Sequence, residues 1–213
     1  MKTRIGSVSL TTFALCIALV GVPAAAQVVY SNGPTNGNTD AWTFNFGFAV
    51  SDTFNVVNAN TSITGLNFAV WFINPGTLDA VELSITSSEN GGTSYFDQML
   101  NVTQTGCESN QYGFNICSET ISFAGPTLDP GTYWLNLQNG QTDDGNPVYW
   151  DENSGPSAAS QNGVGSIPSE SFTLLGTSTS TTSTTGTVPE PSSILLLGSG
   201  ILALAQGVRR RLF

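Results

Sequence analysis

From Asp40 to about Leu175 apolar and polar residues alternate with a period of two, which is the spacing of strands rather than helices. Trp42, Phe44, Phe46 and Phe48 alternate with Thr43, Asn45, Gly47 and Ala49, placing four rings on one face of a predicted strand. Leu66, Phe68, Val70 and Phe72 repeat the pattern, and Trp71 and Ile73 make this segment apolar on both faces, as expected of a central strand. Alternation continues through Val81, Leu83 and Ile85 and through Tyr133, Leu135 and Leu137, with shorter candidates at 54–57, 95–102, 114–116, 121–123, 148–150 and 172–174. Turn-forming clusters separate these runs: NPG at 74–76, ENGG at 89–92, DPG at 129–131, NG at 139–140 and DDGNP at 143–147. Roughly eight to ten short strands at this spacing predict an all-β fold, an antiparallel β-sandwich of jelly-roll-like character, over residues 27–175. Residues 155–170 hold little that packs and are expected to form a long surface loop.

The flanks follow other patterns. Residues 1–26 read as a secretory signal peptide, with Lys2 and Arg4 in the n-region, an apolar stretch over 13–22, and Ala24 and Ala26 setting a cleavage site before Gln27. Residues 176–187 are a Ser/Thr tract with no large apolar side chain, so they are expected to remain a disordered stalk. Beyond it Ser192 to Val208 form an apolar run of 17 residues, about 25 Å as a helix against a hydrocarbon core of about 30 Å. This is one expected C-terminal transmembrane helix, with Arg209, Arg210 and Arg211 as its cytoplasmic stop.

Charge narrows the functional classes. All five basic residues, Lys2, Arg4 and Arg209 to Arg211, lie at the ends, all fifteen acidic ones fall between Asp40 and Glu190, and histidine is absent. A body without cations cannot neutralise phosphates, so nucleic acid is not an expected partner. Nor can it assemble a Ser-His-Asp triad, a Cys-His pair, a Schiff-base lysine or a histidine metal site. Cys107 and Cys117 remain after removal of the signal; export to an oxidising compartment predicts that they pair, as a staple and not a redox motif.

The tail carries a resemblance. Val188, Pro189, Glu190 and Pro191, then the apolar run, then Arg209 to Arg211 are similar to the PEP-CTERM sorting segment of Gram-negative bacteria, here spanning residues 188–213. The resemblance implies a precursor held transiently in the inner membrane, exported through the secretion translocon, cut near the motif by exosortase, and delivered to the cell surface or the extracellular space. It also implies surroundings of exopolysaccharide and biofilm. The stretches LDPGTYWLNLQN at 128–139 and YWDENSGPSAAS at 149–160 resemble β-rich domains of that family, which supports the sandwich and assigns no activity.

Only carboxylates remain as candidate chemistry in the body. Asp143, Asp144, Asp151 and Glu152 beside Tyr149 and Trp150 are the one acidic concentration. They read as turn residues on a solvated rim, as hard ligands for Ca²⁺ through Asp143, Asp144, Asn146 and Asp151, or as the acids of a carbohydrate-active enzyme. Adjacent strand residues face opposite ways, which separates Asp151 from Glu152. Trp71, Trp134 and Trp150 are read either as a sugar-stacking face or as the second face of a two-sided core. The expectation is a non-enzymatic body without a required cofactor, with Ca²⁺ as the one candidate ion and exopolysaccharide as the contact. Unbalanced carboxylates that repel one another further predict stability that rises as pH falls from neutral.

Overall fold

The structure, a computed structural model, describes residues 26–178. The expected signal peptide before Ala26, most of the Ser/Thr tract, the sorting segment with Val188 to Pro191, the apolar run expected to form a helix and Arg209 to Arg211 lie outside the described residues. Strands in chain order are β1 (Gln27–Ser31), β2 (Ala41–Thr43), β3 (Ala49–Val56), β4 (Thr61–Phe72), β5 (Leu78–Ser88), β6 (Gly91–Asn101) and β7 (Thr103–Ser109). They continue with β8 (Asn115–Ser122), β9 (Thr127–Leu128), β10 (Gly131–Thr142), β11 (Val148–Asp151), β12 (Ala159–Gln161), β13 (Gly165–Ile167) and β14 (Phe172–Ser178).

These strands form two antiparallel sheets. The eight-stranded sheet is organised on β4, which pairs with β14, β11, β8 and β9; β1 extends β14, β2 extends β11 and β7 extends β8. The central position expected of the segment around Trp71 is therefore correct. The six-stranded sheet runs β13-β12-β3-β10-β5-β6. Inward rows of both sheets, including Val50, Phe54, Leu66, Phe72, Leu83, Leu135, Trp150 and Phe172, form one continuous buried cluster, and this shared apolar burial is the main term holding the sheets together. Trp150 sits within it, 5.7 Å from Phe172 and 6.3 Å from Phe68 between ring centroids.

Two expectations need correction. Residues 42–48 are not one strand: β2 stops at Thr43, and Asn45 to Phe48 form a turn in which Phe48 N donates to Asn45 O at 3.0 Å. Gly47, at φ +87°, supplies the left-handed conformation that the reversal needs. The turn moves the chain from one sheet to the other, so only Phe44 of the four rings is fully buried, Trp42 is half-buried, and Phe46 and Phe48 are exposed.

Residues 155–170, expected to be a loose loop, pack. β12 pairs with β3 and with β13, and Ala159, Ser160, Gln161, Ser169 and Glu170 are buried. Small and polar side chains are used here because a second strand edge and a buried polar cluster require them. At the far end β14 continues through Gly176 to Ser178, paired with Ile63, Ser62 and Thr61, so the ladder runs three residues into the Ser/Thr tract.

Cys107 of β7 and Cys117 of β8 are directly opposite and disulfide-bonded, with Cα atoms 4.0 Å apart. Cys117 faces the core and Cys107 lies on the exposed edge strand. Closing a loop of this length in the unfolded chain gives about 3 kcal/mol. Replacing both cysteines with serine is expected to lower unfolding free energy by about that amount, read from urea unfolding with the m-value fitted for each form.

Candidate functional site

Four carboxylates occupy positions that strand periodicity reserves for apolar residues. Asp52 is in phase with Val50 and Phe54, Glu119 with Cys117 and Ile121, Glu152 with Val148 and Trp150, and Glu170 with Phe172 and Leu174. All four are buried, Asp52 and Glu170 to 0% exposure. This phase relation is present in the sequence, where the acidic turn at 143–152 is the more conspicuous signal.

Asp52, Glu152 and Glu170 converge where the two sheets meet beside β1. Glu170 N donates to Asp52 Oδ2 at 2.7 Å, Glu170 and Glu152 form a β-bridge, and Trp42 Nε1 donates to Glu152 Oε2 at 3.0 Å. Asn32, fully buried just after β1, joins the parts. Its Nδ2 lies within hydrogen-bond distance of Asp52 Oδ2 (3.2 Å), Ser157 Oγ (2.6 Å), Ser169 Oγ (2.8 Å) and Glu170 O (2.7 Å). Its own oxygens accept from Tyr30 OH at 3.0 Å and Asn153 Nδ2 at 2.7 Å. Gly155 permits this closeness: a Cβ there would lie 2.3 Å from Asn32 O and 2.6 Å from Ser169 Oγ.

Satisfaction is incomplete. Asp52 Oδ1, Glu119 Oε2 and both oxygens of Glu170 have no hydrogen-bond partner, and such buried charge without a counter-ion is expelled by protonation. Burial, opposed by hydrogen bonds from Ser157, Glu170 N and Thr53, pushes Asp52 up to about 6. Burial alone pushes Glu119 up to about 8. Glu170 is raised well above the carboxylate range by burial first and then by Asp52, Glu152, Asp151 and Asp40. Tyr30 is pushed up to about 12 by burial and by the Asp52 charge.

The acidic turn singled out from the sequence is organised differently. Asp143 Oδ1 accepts from Thr77 N at 2.9 Å, and Asp144 accepts from Asn146 N at 2.9 Å and Asn146 Nδ2 at 2.7 Å, closing an Asx-type turn. Those bonds hold the Asp144 carboxyl below its ordinary value. Asp151 is turned to other partners: Oδ1 accepts from Gly37 N and Trp71 Nε1, both at 2.7 Å, and Oδ2 from Asn36 N at 2.8 Å. The set Asp143, Asp144, Asn146 and Asp151 is thus not one constellation. Among the described residues no group of three or more His, Cys, Asp or Glu side chains is placed to hold a metal ion. Asp151 and Glu152 engage separate partners, as alternation requires.

Of the two readings of Trp71, Trp134 and Trp150, the core reading holds for two of the rings and the three-ring sugar face does not form. Trp150 is fully buried and donates to Ser171 O at 2.9 Å, and Trp71 is 5% exposed beneath the segment that Asp151 fastens. Trp134 alone remains half-buried. Two rings are consumed by packing because β4 and β11 are covered on both faces.

The fold and its acid-bearing interior define an all-β body closed by polar contacts between sheets. Residues 187–211 match the PEP-CTERM protein-sorting motif. The chain carries that motif and is accordingly an exported, membrane-anchored precursor of exosortase-type sorting. No curated protein matches it.

Because the folded-state pKa values of Asp52, Glu119 and Glu170 are raised, the native state binds more protons than the unfolded chain. Their contribution is fully present below about pH 4 and is lost as pH rises through about 6 for Asp52 and about 8 for Glu119. The melting temperature should therefore fall between pH 5 and pH 8.5, and Glu119→Gln should flatten the upper part of that slope. The sign agrees with the expectation from charge repulsion, but desolvation is the leading cause. Asp151→Asn replaces an acceptor of three N–H donors with an amide, so it should cost about 2–4 kcal/mol and speed hydrogen exchange at Asn36 and Gly37.

Proposed function

We propose that this protein is a non-enzymatic component of the cell surface or extracellular matrix of a Gram-negative bacterium. It is exported by its signal peptide, held transiently in the inner membrane by the C-terminal helix, and released or attached after exosortase cuts near Val188 to Pro191. A jelly-roll-like sandwich on a Ser/Thr stalk would then stand among exopolysaccharide chains and contact them. The observation that carries this reading is the sorting motif at residues 187–211.

Support for a body without catalysis comes from composition and from the use of its acids. Lys, Arg and His are absent between Arg4 and Arg209. Asp151 holds a loop, Glu152 receives an indole N–H, Asp143 ties its turn to Thr77, and Asp144 closes the turn at Asn146. A carbohydrate-active enzyme of the 143–152 region needs two carboxyl groups free to face one glycosidic bond, and each of these is engaged elsewhere.

The test is the intact mass of the mature protein from its producing cells, with peptide mapping of both ends. The expected chain begins near Gln27 and ends within Pro189 to Pro191. A chain that retains Arg209 to Phe213 would reduce the tail to a membrane anchor and overturn the proposed processing.

A further inference from the structure

The turn from Asn45 to Phe48 holds a bulky ring where the backbone disfavours one. Phe46 has φ +55°, followed by Gly47 at +87°, so both central residues are left-handed, a pattern that asparagine and glycine satisfy. A β-carbon-bearing residue there costs about 1–2 kcal/mol. Burial does not offset that cost, because Phe46 is 65% exposed and Phe48 41%.

The turn is nevertheless fixed. Asn45 is buried, accepts from Thr43 Oγ1 at 2.9 Å and donates to Asn146 O at 3.1 Å. On the other side Asn162 donates to Gly47 O at 3.0 Å and accepts from Ala49 N at 2.7 Å. Phe46 also borders a shallow depression of about 370 Å³ lined by Asn139, Gly140, Gln141 and Thr142. Asn139 is itself left-handed, at φ +52°, within the bulged part of β10, and its Nδ2 is held by Glu82 Oε2 at 2.6 Å. An exposed ring, rigidly displayed in a strained conformation beside amides and a hydroxyl, has the composition of a sugar-binding platform: an apolar face for the C–H side of a pyranose and neutral donors and acceptors for its hydroxyls.

We propose that this tip binds a neutral polysaccharide, with Phe46 stacking on a sugar ring and Asn139, Gln141 and Thr142 contacting its hydroxyls. The proposal names the site and the glycan class for the exopolysaccharide contact above, and rests on that reading. Neutrality follows from charge: with no cation between Arg4 and Arg209, the body has nothing to pair with a uronate-rich chain and repels it. A lipid surface is disfavoured for the same reason, since interfacial anchoring combines apolar insertion with cationic flanks.

The test uses the mature protein and the exopolysaccharide of the producing cells, separated into neutral and uronate-containing pools, with affinity electrophoresis as the readout. Phe46→Asn is the informative variant because asparagine accepts the left-handed turn, so its melting temperature should not fall. Retardation by the neutral pool should weaken at least tenfold in Phe46→Asn and in Gln141→Ala. If the unaltered protein is retarded by neither pool, the exopolysaccharide contact itself fails and the site with it. If it is retarded and Phe46→Asn matches it, only the site fails. Preference for the uronate pool, or Phe46-dependent binding to phosphatidylcholine vesicles in place of polysaccharide, would overturn the neutral-glycan assignment.

Discussion

Between Arg4 and Arg209 there is no lysine, arginine or histidine, so every carboxylate that folding buries must be neutralised by donated N–H groups or by its own proton. Both solutions occur. Asp151 collects two backbone amides and an indole, Glu152 an indole, and Asp52 the Asn32 amide and Glu170 N. Glu170 and Glu119 keep oxygens without partners and are held in the protonated form by desolvation. Much of the irregular structure is a consequence, because the donors had to be brought to the acids.

Asn32 is where that requirement joins the sheets. Its side chain reaches Asp52 on β3 of one sheet and Glu170 ahead of β14 in the other, and its carbonyl receives Asn153 from the segment after β11. The 155–170 stretch is drawn in for the same reason, with Ser157 and Ser169 supplying hydroxyls and Gly155 the clearance. On the outer face Asp151 pulls Asn36 and Gly37 over Trp71 and so buries an aromatic that the sheet alone would leave to solvent. A polar network of this kind fixes geometry as well as energy, since a partner displaced by one position leaves an acid unmatched.

Function divides along the chain in a corresponding way. The sorting motif near the C-terminus carries destination, while the body buries Asp52, Glu119, Asp151, Glu152 and Glu170 and leaves its other acids, among them Glu89, Glu108 and Asp129, at a surface that also displays amides, hydroxyls and a few rings. Such a surface repels anionic polymers and leaves neutral ones unopposed. The strained Phe46 stands out against this background because the surrounding hydrogen bonds hold it in place without burying it.

The sequence determined the class of fold and the address. Period-two alternation with Gly, Pro and Asn turns leaves only strands, two-sided apolarity placed β4 at the centre, and the order of motif, apolar run and arginines is local information that needs no folded context. What it could not decide were features that depend on which distant edge a segment meets. The Asn45 to Phe48 turn interrupts an unbroken alternation because the chain must change sheets there, and 155–170 packs because β3 offers a free edge. The carboxylates mark the boundary most clearly: the phase of Asp52, Glu119 and Glu170 with their apolar neighbours was visible in one dimension, but their partners lie far away in sequence, 118 residues in the case of Asp52 and Glu170. Hydrogen bonding and desolvation act through space, so only the tertiary structure could assign Asp151 to a loop, Trp150 to the core and a proton to Glu170.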